Sequence, residues 1–145
     1  MGYMWAMALC ISRRQSDRLL KWAHDAGDKE CCGLILGRGR DVGKLVLADN
    51  VASQPTTHFE IDPATLIAAE KAAREGDLSV LGYFHSHPNG LAQPSATDAA
   101  MAVADARFWL IVTATGITAW RAVEEGVLHD RFNPVALTID DDAQG

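Results

Sequence analysis

Two histidines and an aspartate are spaced in the sequence so that they could bind one metal ion. His85 and His87 are separated by one residue, and Asp98 follows after ten more. The run before them, Ser79 to Phe84, is apolar and partly β-branched or aromatic, which predicts a buried strand. Side chains two positions apart on a strand point to the same face, so both imidazoles can reach one point. Two imidazoles and a carboxylate are typical of a catalytic zinc site whose fourth position is left for water.

The segment after His87 is expected to bring Asp98 back towards the imidazoles. Pro88-Asn89-Gly90 and Pro94 predict a loop, because proline cannot donate a hydrogen bond and glycine and asparagine tolerate turn dihedrals. Ser95 is a favourable N-cap, which places Asp98 in the first turn of a short Ala- and Met-rich helix. A serine cap and a first-turn acid also suit any ordinary helix. The spacing to His87 is what favours the metal-site interpretation, with zinc preferred and iron or manganese left open.

These residues resemble the signature of the JAMM (MPN-plus) metallopeptidases. That family's pattern is His-Ser/Thr-His, seven residues, Ser, two residues and Asp, and His85-Ser86-His87-Pro88 with Ser95 and Asp98 matches it throughout. The family also has a glutamate well upstream. Glu30 is identified with it, since Glu30-Cys31-Cys32-Gly33-Leu34-Ile35-Leu36-Gly37 resembles the family's Glu-x-Cys-Gly-Leu-Leu-x-Gly stretch.

The resemblance implies a zinc-dependent peptidase or isopeptidase with one Zn²⁺ per chain. The two histidines and Asp98 would be the metal ligands. Glu30 would accept a proton from the metal-activated water and pass it to the leaving amine. Ser95 would stabilise the developing oxyanion. Ser86 and His58 are expected to contact substrate, His58 because its irregular stretch lies near the substrate channel in related enzymes.

The resemblance also implies a class of substrate. JAMM enzymes act at the flexible C-terminal tail of ubiquitin or ubiquitin-like proteins, and compact bacterial members act on small sulfur-carrier proteins. A chain of 145 residues has little room for the long insertions of eukaryotic deubiquitinases, which favours the compact bacterial type. Two alternatives stay open: a non-catalytic MPN-type scaffold or interaction domain, and a JAMM peptidase that acts on an unrelated peptide.

The bulk composition limits the partners. The 13 basic and 19 acidic residues give a net charge of −6, which argues against a nucleic-acid partner. No apolar stretch approaches the roughly 20 residues that span a bilayer, and the apolar start lacks the charge order of a secretory signal, so no membrane partner is expected.

The 3 cysteines are an odd count with two adjacent, which predicts reduced thiols in a cytoplasmic protein. The sequence leaves the oligomeric state open.

The order of predicted elements indicates an α+β (α/β-like) fold: a single domain with a mixed, curved β-sheet flanked by helices, in agreement with the JAMM/MPN fold that the resemblance implies. The domain is predicted to cover residues 1–139, followed by an acidic flexible tail at 140–145. Helices are predicted at 12–26, 62–74 and 95–105, and strands at 5–11, 31–36, 44–48, 79–84, 108–113, 116–122, 127–132 and 135–139.

Overall fold

A single mixed sheet organises the computed structural model, which describes residues 8–141. Within that range, the chain forms eight strands and three helices. They are β1 (Leu9–Ser12), α1 (Arg13–Ala26), β2 (Cys32–Arg38), β3 (Asp41–Ala48), α2 (Pro63–Arg74), β4 (Ser79–Ser86), α3 (Ala96–Met101), β5 (Phe108–Thr113), β6 (Gly116–Gly126), β7 (Asp130–Val135) and β8 (Leu137–Asp140).

The strands lie in the order β7-β6-β5-β4-β2-β3-β1-β8. Strand β4 pairs in parallel with β5, and β1 pairs in parallel with both β3 and β8, whereas the other neighbours are antiparallel. The predicted mixed sheet flanked by helices is therefore confirmed. Strand β4, which ends at the two histidines, lies in the middle of the sheet.

Helix α1 packs on one face of the sheet, and α2 and α3 pack on the other. Because side chains alternate along β4, Phe84 points towards α1 and stacks on Trp22 at a centroid distance of 5.7 Å. Tyr83 and His85 point to the opposite face, where both rings meet the edge of Trp109. The sheet thus separates a largely aliphatic core under α1, which also contains the Phe84–Trp22 stack, from an aromatic layer that surrounds the histidines.

The predicted start of α1 is confirmed by its hydrogen bonds. Ser12 Oγ accepts from the Gln15 backbone N–H at 3.0 Å, and Gln15 Oε1 accepts from the Ser12 N–H at 2.9 Å. This reciprocal pair is a capping box, and it satisfies two donors that the first helical turn leaves without partners.

The predicted strand break at Asn133-Pro134 is wrong. Both residues lie inside β7, which forms one edge of the sheet, and Pro134 pairs opposite Trp120 of β6. An edge strand tolerates proline because one side of its backbone needs no ladder donor. The last strand begins at Leu137, two residues later than predicted, and lies at the far edge of the sheet beside β1.

Several other elements differ in their bounds from the prediction. Strand β4 runs on to Ser86, β6 runs on to Gly126, and β7 begins at Asp130, three residues later than predicted. Helix α3 ends at Met101 because Ala102 is already extended, with ψ of 138°, so the predicted continuation to residue 105 does not form. The β2–β3 connection is tighter than expected, since the strands run on to Arg38 and from Asp41, and Gly39 at the turn has a φ of 62°.

The ends of the chain lie partly outside the described residues. The first half of the predicted first strand falls in residues 1–7, and most of the predicted acidic tail falls in 142–145. Asp140, the first residue of that predicted tail, is the last residue of β8 and pairs with Ser12. Cys10, Cys31 and Cys32 are free thiols. Within residues 8–141, no helix is both long and apolar enough to cross a membrane.

Candidate metal centre

The side chains of His85, His87 and Asp98 meet where β4 ends and α3 begins. The two Nε2 atoms are 3.0 Å apart, and Asp98 Oδ2 lies 3.1 Å from His85 Nε2 and 3.0 Å from His87 Nε2. All three residues are buried. Three ligand atoms in a nearly equilateral triangle of this size could bind one metal ion. The structure thus brings together the three residues that the sequence nominated as ligands.

The start of α3 orients the aspartate. Ser95 Oγ accepts from the Asp98 backbone N–H at 3.0 Å, and Asp98 Oδ2 accepts from the Ser95 N–H at 2.9 Å. This is a capping box with aspartate at the third helical position, so the carboxylate points back over the N-terminus of the helix. The same Oδ2 faces the two imidazoles. Ser-x-x-Asp spacing therefore serves the helix cap and the candidate metal centre together.

The protonation states suit a cation. His87 Nδ1 lies 2.8 Å from the Leu91 carbonyl oxygen, and because a carbonyl only accepts, Nδ1 carries a hydrogen. Nε2 is therefore the His87 nitrogen that faces Asp98, and it could bind a metal once the proton that it donates to Asp98 is displaced. Complete burial lowers the pKa of His85. Burial alone would raise the pKa of Asp98, but its hydrogen bonds with both histidines hold that pKa well below its usual range. A carboxylate and uncharged imidazole nitrogens are the forms that bind a metal.

Aromatic packing sets the orientation of the His85 ring. Phe59 stacks on this imidazole at a centroid distance of 4.2 Å, and Trp109 meets it edge-on at 5.6 Å. His85 Nδ1 has no hydrogen-bond partner within the described residues. The ring is thus fixed by packing, whereas the ring of His87 is fixed by a backbone carbonyl. Sequence reasoning missed Phe59, because the irregular stretch that contains it has no periodic pattern.

Glu30 lies immediately before β2 and is buried, with 6% of its surface exposed. Burial raises its pKa from 4.5 to about 7, the Asp98 charge adds to this, and His87 opposes it. Its Oε1 has no hydrogen-bond partner among residues 8–141. Glu30, His87 and Ser95 line one cavity of about 460 Å³. A carboxyl group that titrates near neutral pH beside a candidate metal centre can take up and release a proton.

A family model for prokaryotic homologs of the JAB domain matches residues 12–123. The chain belongs to this family. The match spans both the Glu30 stretch and the metal centre, and it confirms the predicted resemblance to the compact JAMM family.

Two relatives of this JAB-domain protein are named for related activities. The desampylase of Haloferax volcanii is 30% identical over 143 residues, which cover 94% of this chain and 100% of that protein. The probable TtuB-protein conjugate cleaving protease of Thermus thermophilus is 43% identical over 70 residues, which cover 48% of this chain. The chain spans about half the length of the Thermus relative, since the match covers 47% of it.

Solved structures have the same fold as this JAB-domain protein. DSY2949 from Desulfitobacterium hafniense superposes with a TM-score of 0.77 at 27% identity, covering 92% of this chain and 93% of that one. AF2198, a JAB1/MPN domain protein from Archaeoglobus fulgidus, superposes with a TM-score of 0.56 at 16% identity, covering 90% and 98%. The predicted JAMM/MPN fold is therefore confirmed.

The two residues expected to contact substrate have different surroundings in the JAB-domain structure. Ser86 is buried, and its Oγ accepts from the Cys31 N–H at 2.8 Å. Ser86 also lines a second cavity of about 390 Å³ beside α1. His58 Nδ1 lies 2.7 Å from Thr57 Oγ1, and Thr57 itself lines the cavity that contains Glu30. Ser86 thus joins β2 to β4, and His58 lies next to the wall of the candidate site.

Side chains from β6 and from the turn after it bind the loop that precedes α3. His129 Nε2 donates to the Pro94 carbonyl oxygen at 3.1 Å, and Thr118 Oγ1 donates to the Ala92 carbonyl oxygen at 2.5 Å. Sequence reasoning gave His129 no role beyond a surface residue. His129 was predicted to lie on a strand, whereas the structure places it in the turn before β7, with a φ of 52°.

Proposed function

We propose that this protein is a metal-dependent hydrolase that cleaves a peptide or isopeptide bond at the C-terminal tail of a ubiquitin-like protein of the sulfur-carrier type. One observation carries the proposal: three buried ligand atoms converge beside a buried carboxyl group that lines the same cavity as His87 and Ser95. The names of the Haloferax and Thermus relatives, a desampylase and a conjugate-cleaving protease, support this substrate class.

Zinc is the metal that we propose for the centre. Two imidazole nitrogens and one carboxylate oxygen are zinc ligands in catalytic sites, and their mutual distances of 3.0–3.1 Å suit a small ion bound by all three. When bound, zinc would act as a Lewis acid and lower the pKa of water to about 7. The capping box at Ser95 and the Leu91 carbonyl would keep Asp98 and His87 in place as ligands.

Glu30 and Ser95 have the chemistry that the rest of the reaction needs. Glu30 would accept a proton from the attacking water while a carbon–oxygen bond forms at the substrate carbonyl. It would then return that proton to the amine nitrogen as the carbon–nitrogen bond breaks. Ser95 Oγ already accepts the Asp98 N–H, so its own hydrogen can be donated to the substrate oxygen as negative charge develops there.

The substrate tail would enter between two segments that wall the cavity. Thr56 and Thr57 line the cavity from the first segment, and Leu91 and Gln93 line it from the second, the loop between β4 and α3. An extended tail with small residues before the scissile bond would fit such a passage, and its backbone could pair with exposed main-chain groups. We propose His58 as a contact to the tail from the first segment. Ser86 would contact substrate only through the cavity beside α1.

We also propose that the protein works in the cytoplasm. Its three cysteines are all free thiols in the structure, which suits a reducing compartment. Sulfur-carrier conjugates would be available there as substrates.

The decisive experiment incubates the purified protein with a panel of C-terminally extended and isopeptide-linked ubiquitin-like carriers. Mass spectrometry identifies the bond that is cut. We expect cleavage directly after the carrier's C-terminal residue, loss of cleavage with a chelator, and recovery with zinc. Glu30→Gln should abolish cleavage, whereas Glu124→Gln, which changes an exposed carboxylate on β6, should not.

The alternatives predict other outcomes of the same panel. A scaffold of the MPN type would bind a carrier and cut none of the panel with zinc present. A peptidase for unrelated peptides would cut unfolded control peptides and leave carrier conjugates intact. A carrier with a bulky residue at the penultimate position of its tail should resist cleavage, and equal cleavage of that carrier would contradict the narrow passage.

A further inference from the structure

The side-chain amide of Asn50 makes four hydrogen bonds just after β3. Its Nδ2 donates to the Glu30 carbonyl oxygen at 2.9 Å and to the His58 carbonyl oxygen at 3.0 Å. Its Oδ1 accepts from the Ala52 N–H and from the Glu60 N–H, each at 3.0 Å. An asparagine amide has two donor hydrogens and two acceptor lone pairs. All of them are used here.

A local turn explains only one of these bonds. An asparagine that accepts from the residue two positions later forms an ordinary Asx-turn, and Ala52 fits that description. The other three partners lie 8, 10 and 20 residues away in the sequence. A residue selected only to turn the chain after a strand would not need these distant contacts.

Asn50 lies at the neck of a segment that we call the flap, residues 51–60. The neck is closed by backbone bonds, because the Val51 N–H donates to the Glu60 carbonyl at 2.8 Å and the Asp62 N–H donates to the Asp49 carbonyl at 3.1 Å. Asn50 itself forms an antiparallel bridge with Ile61. The Asn50 side chain therefore joins both ends of the flap to one another.

The flap and its neck also bind both backbone polar groups of Glu30, the N–H and the carbonyl. The Glu30 N–H donates to the Pro55 carbonyl at 2.8 Å, at the middle of the flap, and the Glu30 carbonyl accepts from Asn50 at its neck. Thr56 and Thr57 of the flap line the cavity that contains the Glu30 carboxyl group. The Glu30 backbone, which carries the carboxyl group, and the wall of the cavity are thus parts of one hydrogen-bonded unit.

We infer that Asn50 is a positioning residue that makes the flap and Glu30 a single rigid unit. This inference rests on the proposed hydrolase function. It assigns to one side chain both the alignment of the proton acceptor and the shape of the wall against which a substrate tail would lie. A small displacement of a proton-transfer group can reduce turnover by about a hundredfold. Asn50 therefore affects kcat through Glu30 and KM through the flap.

Two variants separate these effects. Asn50→Asp keeps the acceptor oxygen for Ala52 and Glu60 but places an oxygen against the carbonyl groups of Glu30 and His58. We expect kcat to fall about 10- to 100-fold. KM should rise only slightly, because the flap loses its bond at His58 but keeps those at Ala52 and Glu60. Asn50→Ala removes both the donor NH2 group and the acceptor oxygen of the side chain, so KM should rise as well. Rates are expressed per zinc-loaded molecule, and zinc content should match the wild type because Asn50 touches none of the ligands.

Two control variants exclude a merely structural role. Asn133→Ala removes one local bond, the Oδ1 acceptor for the Val127 N–H in the β6–β7 hairpin, and should leave kcat and KM unchanged. Val80→Ala creates a cavity in the core below α2 and lowers the melting temperature without touching the flap. If Asn50→Ala and Asn50→Asp change kcat and KM no more than Val80→Ala does, the inference is wrong.

Amide hydrogen exchange tests the coupling without any substrate. In Asn50→Ala the amides of Ala52 and Glu60 should exchange at least about tenfold faster, and so should the amide of Glu30, which Asn50 does not contact directly. In Asn50→Asp the Glu30 amide should exchange faster while Ala52 and Glu60 stay protected. Unchanged exchange at Glu30 in both variants would refute the coupling even if the wild type proves to be a hydrolase. Faster exchange at Glu30 would support the coupling even if no carrier conjugate is cleaved.

Discussion

Replacing Glu30 by glutamine should stabilise the metal-free protein at alkaline pH. Burial first, and the Asp98 charge second, raise the pKa of this carboxyl group from 4.5 to about 7. Above that pH the folded protein contains a buried negative charge whose Oε1 has no hydrogen-bond partner in the described part of the chain. Glutamine has nearly the same shape without the charge, so the cost of ionisation disappears.

The direction of this pH dependence of stability follows from proton binding. Between pH 4.5 and about 7 the folded state keeps a proton on Glu30 that the unfolded state has already released. Stability of the metal-free wild type therefore falls as pH rises through this window, and the loss is complete above it. A shift of this size corresponds to about 3 kcal/mol as an upper limit, because each pKa unit is worth about 1.4 kcal/mol. That equals a change in melting temperature of roughly 10 °C for a chain of this length.

Denaturant unfolding of chelator-treated protein between pH 5 and 9 measures the effect. The two proteins should be similar near pH 5, and Glu30→Gln should be the more stable by up to about 3 kcal/mol at pH 8. Glu124→Gln, at an exposed position, serves as the control and should follow the wild type. Adding zinc should shrink the difference, because a nearby cation lowers the pKa of a carboxyl group. A Glu30→Gln variant no more stable than the wild type at pH 8 would refute burial as the dominant cause.

Three further predictions concern the strands and loops around the centre. Gly82→Ala should destabilise the fold by more than about 3 kcal/mol in thermal melts, because an added Cβ would overlap a carbonyl oxygen of β5, and an unchanged melt would contradict the close strand packing. His129→Met should lower kcat more than His129→Gln, because only glutamine can still donate to the Pro94 carbonyl. Both variants place the same Cβ at the positive φ of residue 129, so backbone strain does not distinguish them. Equal losses of kcat would show that this hydrogen bond has no role. Zinc affinity in chelator competition should weaken from pH 8 to pH 5.5, because a proton on His87 competes with zinc. Burial lowers the pKa of His87, but the hydrogen bond with Asp98 outweighs burial, so the net pKa is raised. Affinity independent of pH would contradict a proton on that imidazole.

The metal triad was predictable because its geometry is local. His85 and His87 share one strand face, and a capping box fixes Asp98 relative to Ser95, so the short loop between them is all that has to close. Glu30 lies before a different strand, β2, and no spacing rule relates it to the histidines. Its assignment came from the family resemblance, and the structure brings it to the same cavity.

The residues that sequence reasoning missed act through long-range contacts. Asn50 looks like a turn residue, because asparagine is common in turns for reasons that concern its own backbone. Its bonds to Glu30 and to the far end of the flap depend on how β2 and β3 pair. Phe59 likewise gains its role only when the flap folds over the end of β4. Such contacts leave no periodic signal in an irregular segment.

The parallel pairing of β1 with β8 has a consequence for how the chain folds as it is synthesised. Leu9 lies opposite Leu137, so this edge of the sheet can form only after almost all of the described chain has left the ribosome. The ligands on β4 and α3 emerge earlier, and their contacts with β2 and β5 do not require β8. A nascent chain could thus assemble its metal ligands while β1 has β3 as its only neighbour in the sheet, and the slowest step of folding would be the pairing of β8 with β1 at that last edge.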